Sequence, residues 1–487
     1  MRKIIVHVTQ HDSRAAILED ERLVEFYVQK LDDEQLAGNI YLGKVVNVLP
    51  GMQAAFVDIG LDRNAFLYVD DAVPSKKQEE RGKKVLPTIK EVLQVGQEVL
   101  VQVKKESFGN KGPRVTSHIS IPGRYLVYIP DGDYIGVSRK IESEEERNRL
   151  KTIGESLKQA NDGMIIRTVA EGASEEQLKR DFQFLRMIWT KVLEQSRKSH
   201  SPMLLYKDLD LVPRLVRDLL SEDVVQFMID DGFEYRKIRE MIQYSAPELT
   251  ERLYLYTEKE PVFDAFHITA EIEKAMKRKV WLKSGGYLII DRTEALTSID
   301  VNTGKYIGHT NLEETVLKTN MEAAVEIARQ LRLRDIGGII IIDFIDMVQE
   351  EHREKTLQIL QEEMKKDRTK SNILGYTQLG LVEMTRKKVR QNLESTLLRT
   401  CPMCDGIGKV ISEEEMSRKI EKELVTYQDY TTIQSLLVEA HPYVTSYLIG
   451  INGENLHRLE KQLGMKVQVK GNPAFHLHQF EIHHKVD

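Results

Sequence analysis

Four isoleucines in a row, Ile339 to Ile342, set between Gly337-Gly338 and Asp343, constrain this chain more than any other stretch. A short unbroken run of branched apolar residues reads as a strand covered on both faces, and so as part of an α/β layer. The residues before it supply a helix to do the covering. Leu312, Val316, Met321, Ala324, Ile327, Ala328 and Leu331 recur at near-helical spacing. Asp343 ends the isoleucine run, and Asp346 follows three residues later.

A second carboxylate belongs with these. The segment GGYLIIDRTEALTSIDVNTGKYIG, residues 285–308, reads as two strands, roughly 287–291 and 296–302, around a short turn. Alternation along the second sends Ile299 and Val301 into a core and leaves Ser298, Asp300 and Asn302 on the other face. A carboxylate at the end of a buried strand needs compensation, because unpaired charge is costly to bury. A hard cation such as Mg²⁺ supplies it, taking oxygen ligands from one or two carboxylates, water and a substrate phosphate. Asp300 and Asp343 on neighbouring strands would make such a site, suited to polarising a phosphoryl oxygen and activating water. Asn302 would hydrogen-bond the phosphate. The rival reading makes these acids strand-end caps or ion-pair partners of Arg329, Arg332 or Arg334.

Composition narrows the class. At 487 residues the chain has room for about three domains. With 41% apolar and 30% charged residues it is a soluble globular protein. It has no apolar run long enough for a membrane-spanning segment. The N-terminus alternates too quickly for a signal peptide and reads as a first strand. Two cysteines three positions apart exclude a disulfide framework and point to a reducing, cytoplasmic location. The formal net charge of −6 argues against a basic coat for nucleic acid, though not against a local basic channel.

Residues 1–35 alternate as a small antiparallel sheet does. From Asn39 the texture changes to short strands separated by Leu-Pro-Gly and Gly-Leu-Asp turns, then a charged loop, then another strand pair. Five short strands with a long loop before the fourth predict an OB-type barrel. The Gly-x-Val and Ala-Phe-Val-Asp-Ile-Gly elements resemble an S1 RNA-binding domain. There Phe56 and Phe66 would stack on bases of single-stranded RNA, and Lys111 would meet a phosphate. Alternatively, Phe56 is simply core. Residues 119–210 read as a mixed region ending in a long helix from Glu175. Residues 211–278 read as short strands and amphipathic helices, among them AEIEKAMKRKVWL, and 279–400 as a separate α/β unit. Met384 to Arg390, MTRKKVR, reads as a basic helical face that would line an RNA channel, and 411–487 as a small α/β domain. His476, His478, His483 and His484 near the end have no spacing that sets a metal geometry.

The cysteines lie in RTCPMCDGIGKV. Cys401 and Cys404 make half of a zinc site, since a closed structural site takes four ligands. A redox Cys-x-x-Cys is the alternative, but the pair sits beside Asp-Gly-Ile-Gly rather than at a thioredoxin-like helix start.

Together TEALTSIDVNTG, the stretch from NLEETVLKTN to IIIIDFIDM, LGLVEMTRKKVR and CPMCDGIG resemble the ribonuclease E/G family of bacterial endoribonucleases, over essentially the whole chain. The resemblance implies a multidomain α+β fold. Its parts would be an RNase H-like subdomain from residues 1–36 and 211–278, an inserted S1 domain at 37–118, and a 5′-sensor region at 119–210. A DNase I-like catalytic domain at 279–400, a zinc-link at 401–410 and a small domain at 411–487 would follow, without a long scaffolding tail. It implies Mg²⁺ on Asp300 and Asp343, with Asn302 orienting phosphate and Asp346 in support. A 5′-monophosphate pocket would use Arg167 and Thr168 with backbone contacts near Gly123 and Val127. One Zn²⁺ would be shared by Cys401 and Cys404 of two chains, giving a homodimer that can pair into a tetramer. Its implied substrates are single-stranded, A/U-rich RNA, in ribosomal RNA precursors and messenger RNA, cut to leave 5′-phosphate and 3′-hydroxyl ends. A non-cleaving RNA-binding or ribosome-assembly factor on the same fold is the rival.

Overall fold

The computed structural model describes residues 1–30, 35–73, 87–106, 112–159, 162–304, 312–427 and 433–486. It divides into two units, Met1–Thr396 and Leu397–Asp487.

The first unit opens with the antiparallel strands Arg2–Val8, Asp12–Glu19 and Arg22–Lys30. Ile4, Ile5 and Val6 are all fully buried, so Arg2–Val8 is an internal strand. Its free edge takes Val224–Ile229 in parallel, and Leu253–Leu255 extends the sheet to five strands. Between these halves of the chain lies a closed barrel of five strands, Ile40–Leu49, Ala54–Asp58, Ala65–Tyr68, Glu98–Lys105 and Arg114–Thr116. Pairing of Ile40–Leu49 with Glu98–Lys105 closes it, after the long excursion that precedes the fourth strand. This is the OB-like closure that the turn spacing predicted. Met203–Tyr206 adds to the outer edge of Ile40–Leu49. A four-stranded sheet contains Leu126–Pro130 and Asp162–Ile166, and the Glu175–Lys198 helix packs on it. That helix starts at a capping box, in which Ser174 and Gln177 satisfy each other's backbone N–H groups.

The last sheet of this unit runs Lys279–Trp281, Tyr287–Arg292, Leu296–Asn302, Gly338–Asp343, Val382–Arg386, Ser371–Tyr376. The helices Leu312–Leu333 and Glu350–Lys365 share one core with it. Ile340 and Ile342 are fully buried, but Ile339 is 49% exposed and Ile341 is only partly covered. The isoleucine strand is therefore covered on one face, not two, because both helices lie on the same side. The other face stays open.

Two helical expectations also fail here. Val382–Arg386 is a strand, with Val382, Met384 and Arg386 buried at a period of two. Arg386 is buried between Asp335 and Asp367, at 2.6 Å from each, so part of the basic stretch is structural. In AEIEKAMKRKVWL the helix stops at Ala275, and Lys279–Trp281 pairs as a strand with Tyr287–Arg292.

In the second unit, Ile433–Ala440 pairs parallel with Lys466–Gly471 and antiparallel with Phe480–Val486. The helices Glu413–Val425, Pro442–Ile449 and Glu454–Leu463 complete this small α/β domain. No helix among the described residues is long and apolar enough to cross a membrane.

Candidate catalytic centre and RNA-contacting surfaces

Leu296–Asn302 and Gly338–Asp343 run parallel, and their register sets Asp300 directly beside Asp343. Adjacent strands lie about 4.8 Å apart, so the two carboxylates leave the sheet as neighbours. Ile299 and Val301 turn into the core, while Ser298 and Asp300 are exposed on the open face, as alternation predicts. Asn302 is half-buried on that face, and its Nδ2 donates to Asp300 Oδ2 at 2.7 Å. Asp346 is also exposed. Partial burial, then the charges of Asp300 and Asp346, push the Asp343 carboxyl above its ordinary range.

The arginines that might have neutralised these acids are engaged elsewhere. Arg329 bonds Glu326 and the Leu23 carbonyl, and Arg332 bonds Glu19 and Glu25. Arg334 reaches Gln330 and the Lys277 carbonyl. The site therefore carries negative charge toward solvent, held by a core that does not depend on it. No cluster of three or more His, Cys, Asp or Glu that could hold a metal occurs among the described residues. Two open carboxylates with like-charge strain fit Mg²⁺, which keeps most of its shell for water and phosphate, and do not fit a closed structural site.

On the barrel, Phe56 and Phe66 face each other across neighbouring strands, with ring centroids 5.5 Å apart. Both are half-exposed, whereas Ala55 and Val57 are fully buried, so Phe56 is not a core residue. Tyr68 extends the row, 4.5 Å from Phe66, and the Arg114 guanidinium lies 4.5 Å over its ring. The sequence reading missed these two. Tyr68 follows Phe66 by two strand positions, a signal that would have found it. Lys111 lies outside the described residues.

Arg167 and Thr168 follow the Asp162–Ile166 strand. Arg167 Nη1 donates to the Gly123 carbonyl at 2.6 Å and pairs with Asp218 at 2.8 Å. The Thr168 hydroxyl meets that of Ser138 at 2.8 Å. Val127 is in register with Pro122 and Ile165, so the four residues share one corner of the sheet. Asp181 shapes that corner, accepting backbone N–H groups from Arg124, Tyr125 and Leu126. A Cβ on Gly123 would lie 2.5 Å from Asp181, so only glycine fits there. Asp218 was not foreseen as Arg167's partner, and a bound phosphate would share or replace it.

In the second unit, Cys401 is exposed and Cys404 partly so. Asp405, Gly406 and Gly408 take positive φ, which curls the chain so that Gly408 N–H donates to Cys404 Sγ at 3.3 Å. That bond, against slight burial and with help from Gly406, lowers the Cys404 thiol below its ordinary value. Donors aimed at sulfur favour the thiolate, the form that binds Zn²⁺. The next helix begins only at Glu413, so the pair does not cap a helix. His476 and His478 are spent on a turn, in which His476 accepts the His478 N–H and His478 accepts that of Ile411. His483 lies 3.3 Å from Glu481, and the His484 side chain is outside the described residues.

Comparison with known proteins identifies the family. Residues 120–389 match the Ribonuclease E/G family, and residues 400–485 match its "RNase E/G, Thioredoxin-like domain". Ribonuclease G of Escherichia coli (strain K12) is 42% identical over 99% of both chains, as is Ribonuclease G of Haemophilus influenzae. Ribonuclease E of Nostoc sp. is 41% identical over 84% of this chain and 59% of its own length. The chain belongs to the ribonuclease E/G family.

Proposed function

We propose that this protein is a Mg²⁺-dependent endoribonuclease that cuts single-stranded, A/U-rich RNA and favours substrates with a 5′-monophosphate. Family membership gives the enzyme class in the plain sense: it is an endoribonuclease of RNA processing. The observation that supports the catalytic assignment best is the register of Asp300 with Asp343 on an open sheet face, beside Asn302.

Asp300 and Asp343 would hold the ion, which when bound supplies polarisation of a phosphoryl oxygen and a more acidic water. The rest falls to side chains. Asn302 spends one N–H on Asp300, which orients the carboxamide and leaves the second N–H for a phosphate oxygen. Asp346 adds negative field beside Asp343. Phe56 and Phe66 grip bases of the strand, with Lys111 on its backbone. The planar fork of Arg167 suits a terminal phosphate, with Thr168 adding a hydroxyl and the backbone near Gly123 and Val127 closing the pocket. Cleavage leaves 5′-phosphate and 3′-hydroxyl ends on ribosomal RNA precursors and messenger RNA in the cytoplasm. Cys401 and Cys404 share one Zn²⁺ with their counterparts in a second chain. The exposed Met403, Ile407 and Ile411 around the pair support a dimer, which can pair into a tetramer.

The test is cleavage of a 5′-monophosphorylated single-stranded RNA with Mg²⁺ by wild type, Asp300→Asn and Asp343→Asn. Loss of cleavage with retained RNA binding is expected in both variants. Equal cleavage by all three proteins would sink the assignment, and wild type that binds without cutting would favour the non-cleaving rival.

A further inference from the structure

On the side of Asp300 away from Asp343, the catalytic sheet continues through two more strands. Pairing sets Asn302 beside Tyr287 and Tyr287 beside Trp281, in one row across the sheet. The adjacent row runs Lys279, Ile289, Asp300, Asp343. The interleaved Val280, Leu288 and Val301 pack into the helix-covered core, so both rows lie on the open face with the aspartates. Tyr287 is thus about 4.8 Å from Asn302, backbone to backbone, and Trp281 roughly twice that.

An exposed aromatic is ordinary taken singly. Here three observations coincide. Trp281 is 63% exposed and meets Tyr287 with ring centroids 5.4 Å apart. The Lys279 ammonium lies 3.9 Å from the Trp281 centroid and 3.5 Å from that of Tyr287. Its neighbours Lys274 and Arg278 pair with Glu271 and Asp291, whereas among the described residues no carboxylate pairs with Lys279. A cation held on aromatic faces rather than on an acid keeps its charge available to a phosphate. Aromatic rings beside a cation are how proteins hold single-stranded nucleic acid, ring against base and charge against backbone.

We propose that Trp281 and Tyr287, with Lys279 against them, form a stacking platform for the base of a nucleotide next to the scissile phosphodiester. The platform positions that phosphodiester over Asp300 and Asp343. The inference rests on the endoribonuclease reading and adds a base-contacting subsite to it, separate from the barrel aromatics. Trp281 and Tyr287 are positioning residues, and Lys279 meets the flanking phosphate.

An abasic scan tests this. A short 5′-monophosphorylated RNA with one cleavage site is made with a single abasic residue at each position flanking the bond. Wild type, Trp281→Ala and Trp281→Phe are then compared in kcat/KM. At one flanking position wild type is expected to lose on the order of ten-fold, the scale of one stacked base. Trp281→Ala should show the same loss on intact RNA and no further loss at that abasic position. Trp281→Phe should recover most of the wild-type rate and keep the abasic penalty, which also reports that the fold is intact. The platform is overturned if the two losses multiply independently, if Trp281→Ala cleaves intact RNA like wild type, or if it changes only the oligomeric state. If wild type leaves every RNA uncut, the reading of the catalytic centre falls and takes the platform with it.

Discussion

At the scale of single residues, the candidate site depends on which charges are left without partners. Asp300 and Asp343 stand side by side with, among the described residues, only Asn302 hydrogen-bonded to Asp300, while Arg329 and Arg332 bond glutamates and a carbonyl elsewhere. Side-chain direction was legible in the sequence, because alternation in a strand is a property of the local backbone. The destinations of Arg329, Arg332 and Arg334 were not, because their partners come from residues as far away as Glu19 and Leu23. Arg167 shows the same contrast. Its guanidinium bridges the Gly123 carbonyl and Asp218, so in the proposed sensor role a 5′-phosphate would have to compete with a carboxylate already in place. Arg167→Ala is expected to bring the cleavage rates of monophosphorylated and triphosphorylated RNA toward equality, with cleavage of circular RNA little changed. Competition assays with the paired substrates measure this, and an unaltered preference would rule out Arg167 as the sensor.

At the scale of elements, the Leu312–Leu333 helix is what fixes the catalytic sheet to the N-terminal sheet. Arg22 reaches Glu326 at 2.9 Å, and Arg332 reaches Glu19 and Glu25 at 2.8 and 2.9 Å. Burial raises the pKa of Glu19, but hydrogen bonds from Arg332 and Arg2 outweigh it and bring the carboxyl from 4.5 down to about 2. A depressed folded-state pKa contributes stability that is fully present above the unfolded value and is lost as pH falls through the folded one. The window is therefore from 4.5 down to about 2. Urea midpoints of wild type should fall across that window, and those of Glu19→Gln should start lower at neutral pH and fall less steeply. Parallel slopes would mean that Glu19 does not couple the sheets. The elements misread from sequence share a cause. Residues 382–386 and 279–281 carry charged residues at spacings compatible with a helix, yet each finds a strand partner through tertiary contact. Pairing with a distant strand overrides local propensity.

At the scale of the whole molecule, the chain divides into two units, and the cysteine turn belongs to the second. The exposed pair of thiols, one already eased toward thiolate, would supply half of the proposed zinc site, with the other half coming from a second chain. Purified protein should contain one zinc per two chains and lose its dimer on chelation or in Cys401→Ser/Cys404→Ser. Metal analysis joined to sedimentation measures both. One zinc per chain, or a dimer indifferent to chelation, would contradict a shared site.

The sequence by itself determined what depends on local geometry and on long motifs. These are the family, the closed barrel between turn signals, and the face on which Asp300 and Asn302 lie. Tertiary structure alone decided which face of the isoleucine strand stays open, since both helices settle on one side. It alone set the register that brings Asp343 level with Asp300, and put Trp281 and Tyr287 in line with Asn302. The physical reason is register. Alternation tells each strand which way its side chains point, but only pairing between strands decides which side chains meet.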